Sequence, residues 1–263
     1  MRRRRRHVAA IALGLCLVGL VDGAGAAERT RGVRLLGPSE EMTPAPAPER
    51  RPAAALGTVR IASADGQAAR LSGLSPRGAP FEVVAPSANS DLVWDPGTRN
   101  VAAGRDVVAY NVDLADLPAV IDRTAAVRGL TQLAAERPQA MRLSDSSRPL
   151  RGGQQIELDV PDVGRRSLLV AVISGDGTVQ LLYPIGSDPR SLDVPTYKLD
   201  MQVREPYGTD IFLAVSSAQP ADMLEQGIRQ LSHYRSAIEL VDLLKNAAPP
   251  DARVGLLSLV SRP

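Results

Sequence analysis

The chain is poor in the residues that most enzymes use for chemistry. Its 263 residues include one cysteine, Cys16, and two histidines, His7 and His233. Cys16 and His7 both fall in an N-terminal stretch with the anatomy of a secretory signal peptide. Arg2 to Arg6 supply the positive region, Val8 to Val21 the apolar one, and Ala24-Gly25-Ala26 the small residues for cleavage. Leu15 ahead of Cys16 is too large for a lipoprotein site, and the apolar run is too short for a comfortable membrane span. Both general secretion and twin-arginine export are open, and general secretion is the reading adopted. The expected location is therefore periplasmic or secreted, in a bacterium, with no transmembrane anchor after cleavage.

Cleavage leaves a chain with no cysteine and a single histidine. Cysteine nucleophiles, cysteine-rich zinc sites and multi-histidine metal sites are excluded within one subunit, and the fold must hold in an oxidising compartment without disulfides. Removing residues 1–26 takes away five arginines and Asp22, which moves the formal charge from +2 to −2. The alkaline character of the whole chain belongs largely to the leader and gives no ground for nucleic-acid binding.

Motifs are equally sparse. No Gly-x-Ser-x-Gly elbow, Gly-Lys-Ser/Thr loop or Gly-x-Gly-x-x-Gly fingerprint occurs. Neither lysine, Lys198 or Lys245, follows a serine at the spacing of a Ser-x-x-Lys pair. Asp145-Ser146-Ser147 matches an aspartic-protease loop at two positions only and has no second copy. His233 reads as an exposed or partly packed helix residue. Asp116 reads as a helix cap, and Asp122 as an exposed helix residue. Asp176, Asp188 and Asp193 offer oxygens to calcium without EF-hand spacing, so turn formation is the reading adopted for Asp176. Aromatics are scarce, and Trp94, Tyr183 and Phe212 sit in strand patterns that point to the core. No cofactor is expected.

What is present is strand-and-turn punctuation. After a Pro- and Ala-rich tether at 27–55, apolar stretches begin near Thr58 and recur at Phe81, Leu92 and Val107. A helix follows from Asp116, with Leu117, Ile121, Thr124, Val127 and Leu130 at helical spacing, up to Pro138. From Gly153 onward, Ile156, Leu158 and Val160 alternate with polar residues. Leu168 to Ile173 and Val179 to Tyr183 flank Gly175-Asp176-Gly177 as a hairpin, its glycines free to take φ > 0. Tyr197 to Val203 and Ile211 to Val215 read as further strands. A helix from Pro220 carries Leu224, Ile228, Leu231 and Tyr234. A second starts at Ser236, which forms a capping box with Glu239, and Arg253 to Val260 is the last strand. Thr196 to Val203 either offers an open edge to a partner strand or lies under the helical excursion; the sequence ranks neither.

These readings give an α+β, β-dominated fold. Residues 56–148 form a small β-rich α/β unit with one helix, and 149–263 an antiparallel, β-sandwich-like domain with a helical excursion. Several short motifs, in order, add a resemblance. They are Asp91-Leu92-Val93-Trp94-Asp95, Asp116-Leu117-Pro118, Ile121-Asp122-Arg123-Thr124-Ala125 and Gly175-Asp176-Gly177-Thr178-Val179. Tyr183-Pro184, Gly186-Ser187-Asp188 and Pro206-Tyr207-Gly208 complete the series. From Asp91 to the C-terminus the chain resembles the non-catalytic C-terminal region of bacterial caspase-like (metacaspase-related) secreted proteins, which contains a β-sandwich-like domain of unknown function. In those relatives a peptidase domain with a His/Cys dyad precedes this region. Here a leader, a tether and a short β-rich stretch stand in its place, so protease activity does not carry over. The resemblance implies an accessory binding or scaffolding module that docks on a protein partner in the cell envelope and is not itself an enzyme. Two alternatives stand beside it: a carboxylate-only hydrolase of cell-wall or glycan material, and a split partner of a separate caspase-like peptidase.

Overall fold

The computed structural model describes residues 56–86, 89–144 and 149–263. The leader, the tether, Cys16, His7 and the Asp145-Ser146-Ser147 segment lie outside the described residues. The fold is β-dominated α+β; among the described residues it has fourteen strands, three α-helices and two short 3-10 turns that lie wholly within them.

The first sheet has the order β2-β1-β3-β4-β5. It is built from β1 (Val59–Ser63), β2 (Phe81–Val83), β3 (Leu92–Asp95), β4 (Asn100–Ala103) and β5 (Asp106–Ala109). β1 runs parallel to both β2 and β3, and β3, β4 and β5 form an antiparallel meander. Strand β4 was not expected, because Asn100-Val101-Ala102-Ala103 carries a single bulky apolar residue. α1 (Leu117–Glu136) follows, with Pro118 in its first turn, as expected. Asp116 occupies the N-cap position but makes no capping hydrogen bond.

The second sheet has the order β10-β9-β13-β14-β7, with β11 (Ser191–Leu192) attached to β9. Its strands are β7 (Leu150–Arg151), β9 (Arg166–Ile173), β10 (Val179–Tyr183), β13 (Thr209–Ser217) and β14 (Arg253–Arg262). All its pairs are antiparallel except β14 with β7. The third sheet has the order β12-β8-β6, from β6 (Arg142–Leu143), β8 (Gln155–Pro161) and β12 (Thr196–Gln202).

The second sheet is the middle layer, because side chains on its strands alternate between two cores. Leu168, Val170, Val172, Phe212 and Ala214 join Ile156, Leu158, Val160, Leu199 and Met201 of the third sheet. Leu169, Ala171, Ile173, Ile211, Leu213 and Val215 join the first sheet and the helices in a larger core. Burial on both faces explains why β9 and β13 read as unbroken apolar runs rather than alternating ones.

α2 (Asp222–Leu231) and α3 (Ala237–Ala247) pack on each other, α2 against β10 and α3 against α1. α2 ends three residues short of Tyr234. Ser236 precedes α3 as expected but makes no capping bond; its hydroxyl donates to the carbonyls of Leu231 and Tyr234 instead. His233 lies in the connection between the helices, exposed and with φ +71°, not on a helix. That connection runs along the free edge of β10. Val179 N–H donates to Tyr234 O (2.9 Å), His233 N–H to Val179 O (2.7 Å) and Leu181 N–H to Ser232 Oγ (3.0 Å). The helical excursion therefore covers β10, while β12 pairs with β8 alone among the described residues.

Candidate functional site

Five of the motif residues, Arg123, Gly175, Asp176, Gly177 and Gly208, meet where the first sheet, α1 and the second sheet join. β5 passes so close to the second sheet that the Val108 carbonyl faces two glycines. A Cβ on Gly175 would lie 1.9 Å from that oxygen, and one on Gly208 2.4 Å. Side chains are therefore excluded at both positions by the approach of another backbone. Of the hairpin glycines only Gly177 takes a positive φ, +90°, and a Cβ there would sit 2.9 Å from the Ala119 carbonyl of α1. The expectation of two turn glycines is corrected accordingly: Gly175 serves close approach, Gly177 the turn. Thr209 completes the joint by donating its hydroxyl to Val107 O (2.8 Å).

Charged side chains fill the space behind this joint. Arg123, 5% exposed, leaves α1 and donates from Nη2 to Thr209 O at 2.6 Å. Its Nε is buried without a hydrogen-bond partner among the described residues. Asp210 follows on β13, 7% exposed. Burial pushes its carboxyl up to about 7; the Arg123 charge and the Gly175 amide work against that shift, and the Asp176 charge adds to it. Burial brings Arg123 down to about 10 against the pull of Asp210 and Asp176. Asp176 accepts from Thr178 N (3.0 Å) and Thr178 Oγ1 (3.0 Å), the turn bonding expected of it. It also pairs with Arg235 Nε at 3.4 Å, and Arg235 reaches Asp116 as well. Asp116 is thus an ion-pair partner rather than a cap.

Asp122 is the clearest correction on α1. It is 1% exposed, not solvated, and its Oδ1 accepts the backbone N–H groups of Ala79 (2.7 Å) and Gly78 (3.1 Å). Burial raises its pKa in spite of those amides and of Arg77 at 3.9 Å, and the Glu239 carboxylate pushes the same way. Glu239 Oε2 is itself buried without a hydrogen-bond partner among the described residues.

The other motif residues serve elsewhere. Trp94 is buried and donates from Nε1 to Val112 O (3.0 Å), and Asp95 folds back on Gly97 and Thr98. Tyr183 is buried, its ring 4.4 Å from that of Tyr197 and its hydroxyl donating to Pro189 O. Pro184 and Pro206 both follow cis peptide bonds, and Pro184 O accepts from Arg229 Nη2 (2.8 Å). Asp188 accepts from Ile185 N within its own loop. Asp210 and Arg235 were missed from the sequence. Asp210 left a signal, since it is the one ionisable residue in a nine-residue strand that is buried throughout. Arg235 left none.

A cleft of about 490 Å³ lies apart from this joint, lined by Arg137, Pro138, Pro250, Asp251 and Arg253. Its one carboxylate, Asp251, accepts from Ala218 N (2.7 Å) and pairs with Arg166 (3.3 Å). No group of three or more His, Cys, Asp or Glu is placed to hold a metal ion among the described residues. No helix there is long and apolar enough to cross a membrane. Comparison with protein-family models, with curated proteins and with solved structures returns no match.

Proposed function

We propose that the chain is a non-catalytic binding or scaffolding module, exported into the bacterial periplasm or beyond, that docks on a protein partner in the envelope. The observation that carries this reading is the use the fold makes of its motif residues. Arg123 is enclosed between α1 and β13 beside the buried Asp210, and the half-buried Asp176 bonds within the β9–β10 turn and to Arg235, so the motif side chains at the joint face protein groups. Gly175 and Gly208 admit the Val108 carbonyl. A set of residues that joins layers is what an accessory region needs in order to present a rigid surface. The leader-like N-terminus and the resemblance to accessory regions of caspase-like proteins support the same reading.

Crosslinking followed by capture through a C-terminal tag, in the native envelope, is the test. A specific partner whose recovery saturates is the expected result. Turnover of a cell-wall or glycan substrate that persists through purification and vanishes in Asp122→Asn or Glu239→Gln overturns it, because the buried Asp122 and the half-buried Glu239 are neighbouring acids of the kind a hydrolase would use.

A further inference from the structure

Among the described residues the third sheet ends in an open strand. β12 is bonded to β8 through seven consecutive residue pairs without a register shift, and its other edge is unpaired among the described residues. A strand of that length runs about 23 Å. Natural edges are blunted by bulges, prolines, inward-pointing charges or a covering segment. β10 has such cover in residues 232–234. β12 has no proline between Thr196 and Gln202, and its charged residues point outward.

Its side chains are also arranged to match themselves. Leu199 and Met201 are buried, whereas Lys198 and Asp200 are exposed. When two copies of β12 are laid antiparallel about a twofold axis at Leu199, Lys198 of each falls opposite Asp200 of the other. On the inner face Tyr197 falls opposite Met201, extending both cores across the seam with an aromatic–thioether contact. Thr196 and Gln202 pair at the ends. The sequence of this one strand is thus charge-complementary to its own reverse, which is what an isologous contact demands.

The neighbouring strand strengthens the case. Asp200 stands directly opposite Glu157 of β8, a like-charge pair. Lys198 Nζ is already shared between Glu157 (2.7 Å) and Asp159 (3.7 Å). The outer face of β8 and β12 therefore carries three carboxylates to one ammonium, and Asp200 has no cation of its own among the described residues. A second copy brings a lysine to that position, twice by symmetry.

We propose that β12 pairs antiparallel with β12 of a second copy of this chain, joining two three-stranded sheets into one of six strands. Backbone hydrogen bonds supply the attraction, and the Lys198–Asp200 pairs fix the register. This assembly stands on the strand's geometry and charge and does not depend on the binding-module reading.

Sedimentation equilibrium on the full chain tests it, with circular dichroism to verify folding of each variant. The expected result is a monomer–dimer equilibrium. Asp200→Lys places lysines opposite one another at both pairs and raises the dimer dissociation constant about tenfold or more. Mixing Asp200→Lys with Lys198→Asp restores opposite charges in every pair and gives a mixed dimer. A second measurement leaves the charges untouched: Leu199→Cys, in a Cys16→Ala background, oxidises to a covalent dimer, while Met223→Cys, on the exposed face of α2, does not. A chain that stays monomeric overturns the proposal. So does a dimer indifferent to Asp200→Lys, or a Leu199→Cys chain that fails to crosslink.

Discussion

Gly175 and Gly73 allow a direct contrast between two glycines in one chain. A Cβ at Gly175 meets the Val108 carbonyl at 1.9 Å, a backbone atom that cannot swing aside, whereas a Cβ at Gly73 meets nothing within 4 Å. Gly175→Ala is therefore expected to cost about 3 kcal/mol or more, as overpacking does when the neighbour is rigid. Gly73→Ala is expected to be neutral or to stabilise by about 0.5 kcal/mol through the unfolded state. Urea denaturation of the two variants decides it, and equal midpoints would remove the close joint between the sheets from the account. The buried carboxyl next to that joint makes a second prediction. Asp210 titrates near 7 in the folded chain and near 3.8 when exposed. Between those values the native state holds a proton that the unfolded state has lost, so stability falls as pH rises through that window and levels off above it. The slope from this one group reaches about 1.4 kcal/mol per pH unit. Asp122, also raised, acts with the same sign. The lowered carboxyls of Asp91 and Asp251 act only at pH values below the ordinary range. Asp210→Asn should therefore flatten the decline between about pH 4 and 7 without abolishing it, and denaturation curves across that range measure the difference.

At the level of elements, the helix pair α1–α3 shows why patterns reach only so far. α1 was legible from Pro118 and the spacing of Leu117, Ile121 and Leu130, which are buried as expected. Its surroundings were not. Val120, Ala125, Ala126, Asp122 and Arg123 are buried too, because α3, β14 and the first sheet enclose the first half of the helix. A helix covered on several sides shows no clear polar face, so two charged residues that look solvated turn out to be interior. The same logic separates strands that were read correctly from β4, whose residues owe their place to pairing with β3 and β5 rather than to any pattern of their own. Gly129 marks how closely α1 and α3 approach. A Cβ there would lie 2.5 Å from Leu56 Cδ2 and 3.0 Å from Val241 Cγ1, both ends of flexible side chains. Gly129→Ala sets a gain in helix propensity of about 1 kcal/mol against that crowding and should leave stability nearly unchanged. Gly129→Leu has no room to relax and should destabilise by about 2–3 kcal/mol. Thermal unfolding of both variants tests the contact, and a Leu variant as stable as the Ala variant would show the helices to be further apart.

Across the whole molecule the larger core is the feature that governs behaviour. It takes Ile61, Leu92, Val120 and Ile121 from before residue 148 and Leu169, Ile173, Leu213, Val215 and Val241 from after it. The sequence placed a division at that point because a break in pattern separates α1 from β8. The residues that cross it carry no mark of partnership, since an apolar side chain looks the same whichever layer it packs against. Among the described residues, one face of β9, β13 and β14 shares its core with the first sheet and α1, from before residue 148, and with α2 and α3, from after it. Residues 149–263 alone would lose the first sheet and α1 from that face and keep only α2 and α3 over it, leaving part of the apolar surface of Leu169, Ala171, Ile173, Leu213 and Val215 in water, a patch of the kind that drives aggregation. The intact chain is therefore expected to unfold in one calorimetric transition, with calorimetric and van't Hoff enthalpies in agreement. The isolated 149–263 segment is expected to aggregate or to show the loose packing and dye binding of a partly folded state. Two separate transitions in the intact chain, the second matching a soluble and cooperatively folding 149–263 segment, would mean that the shared core contributes packing without joining the halves into one unit.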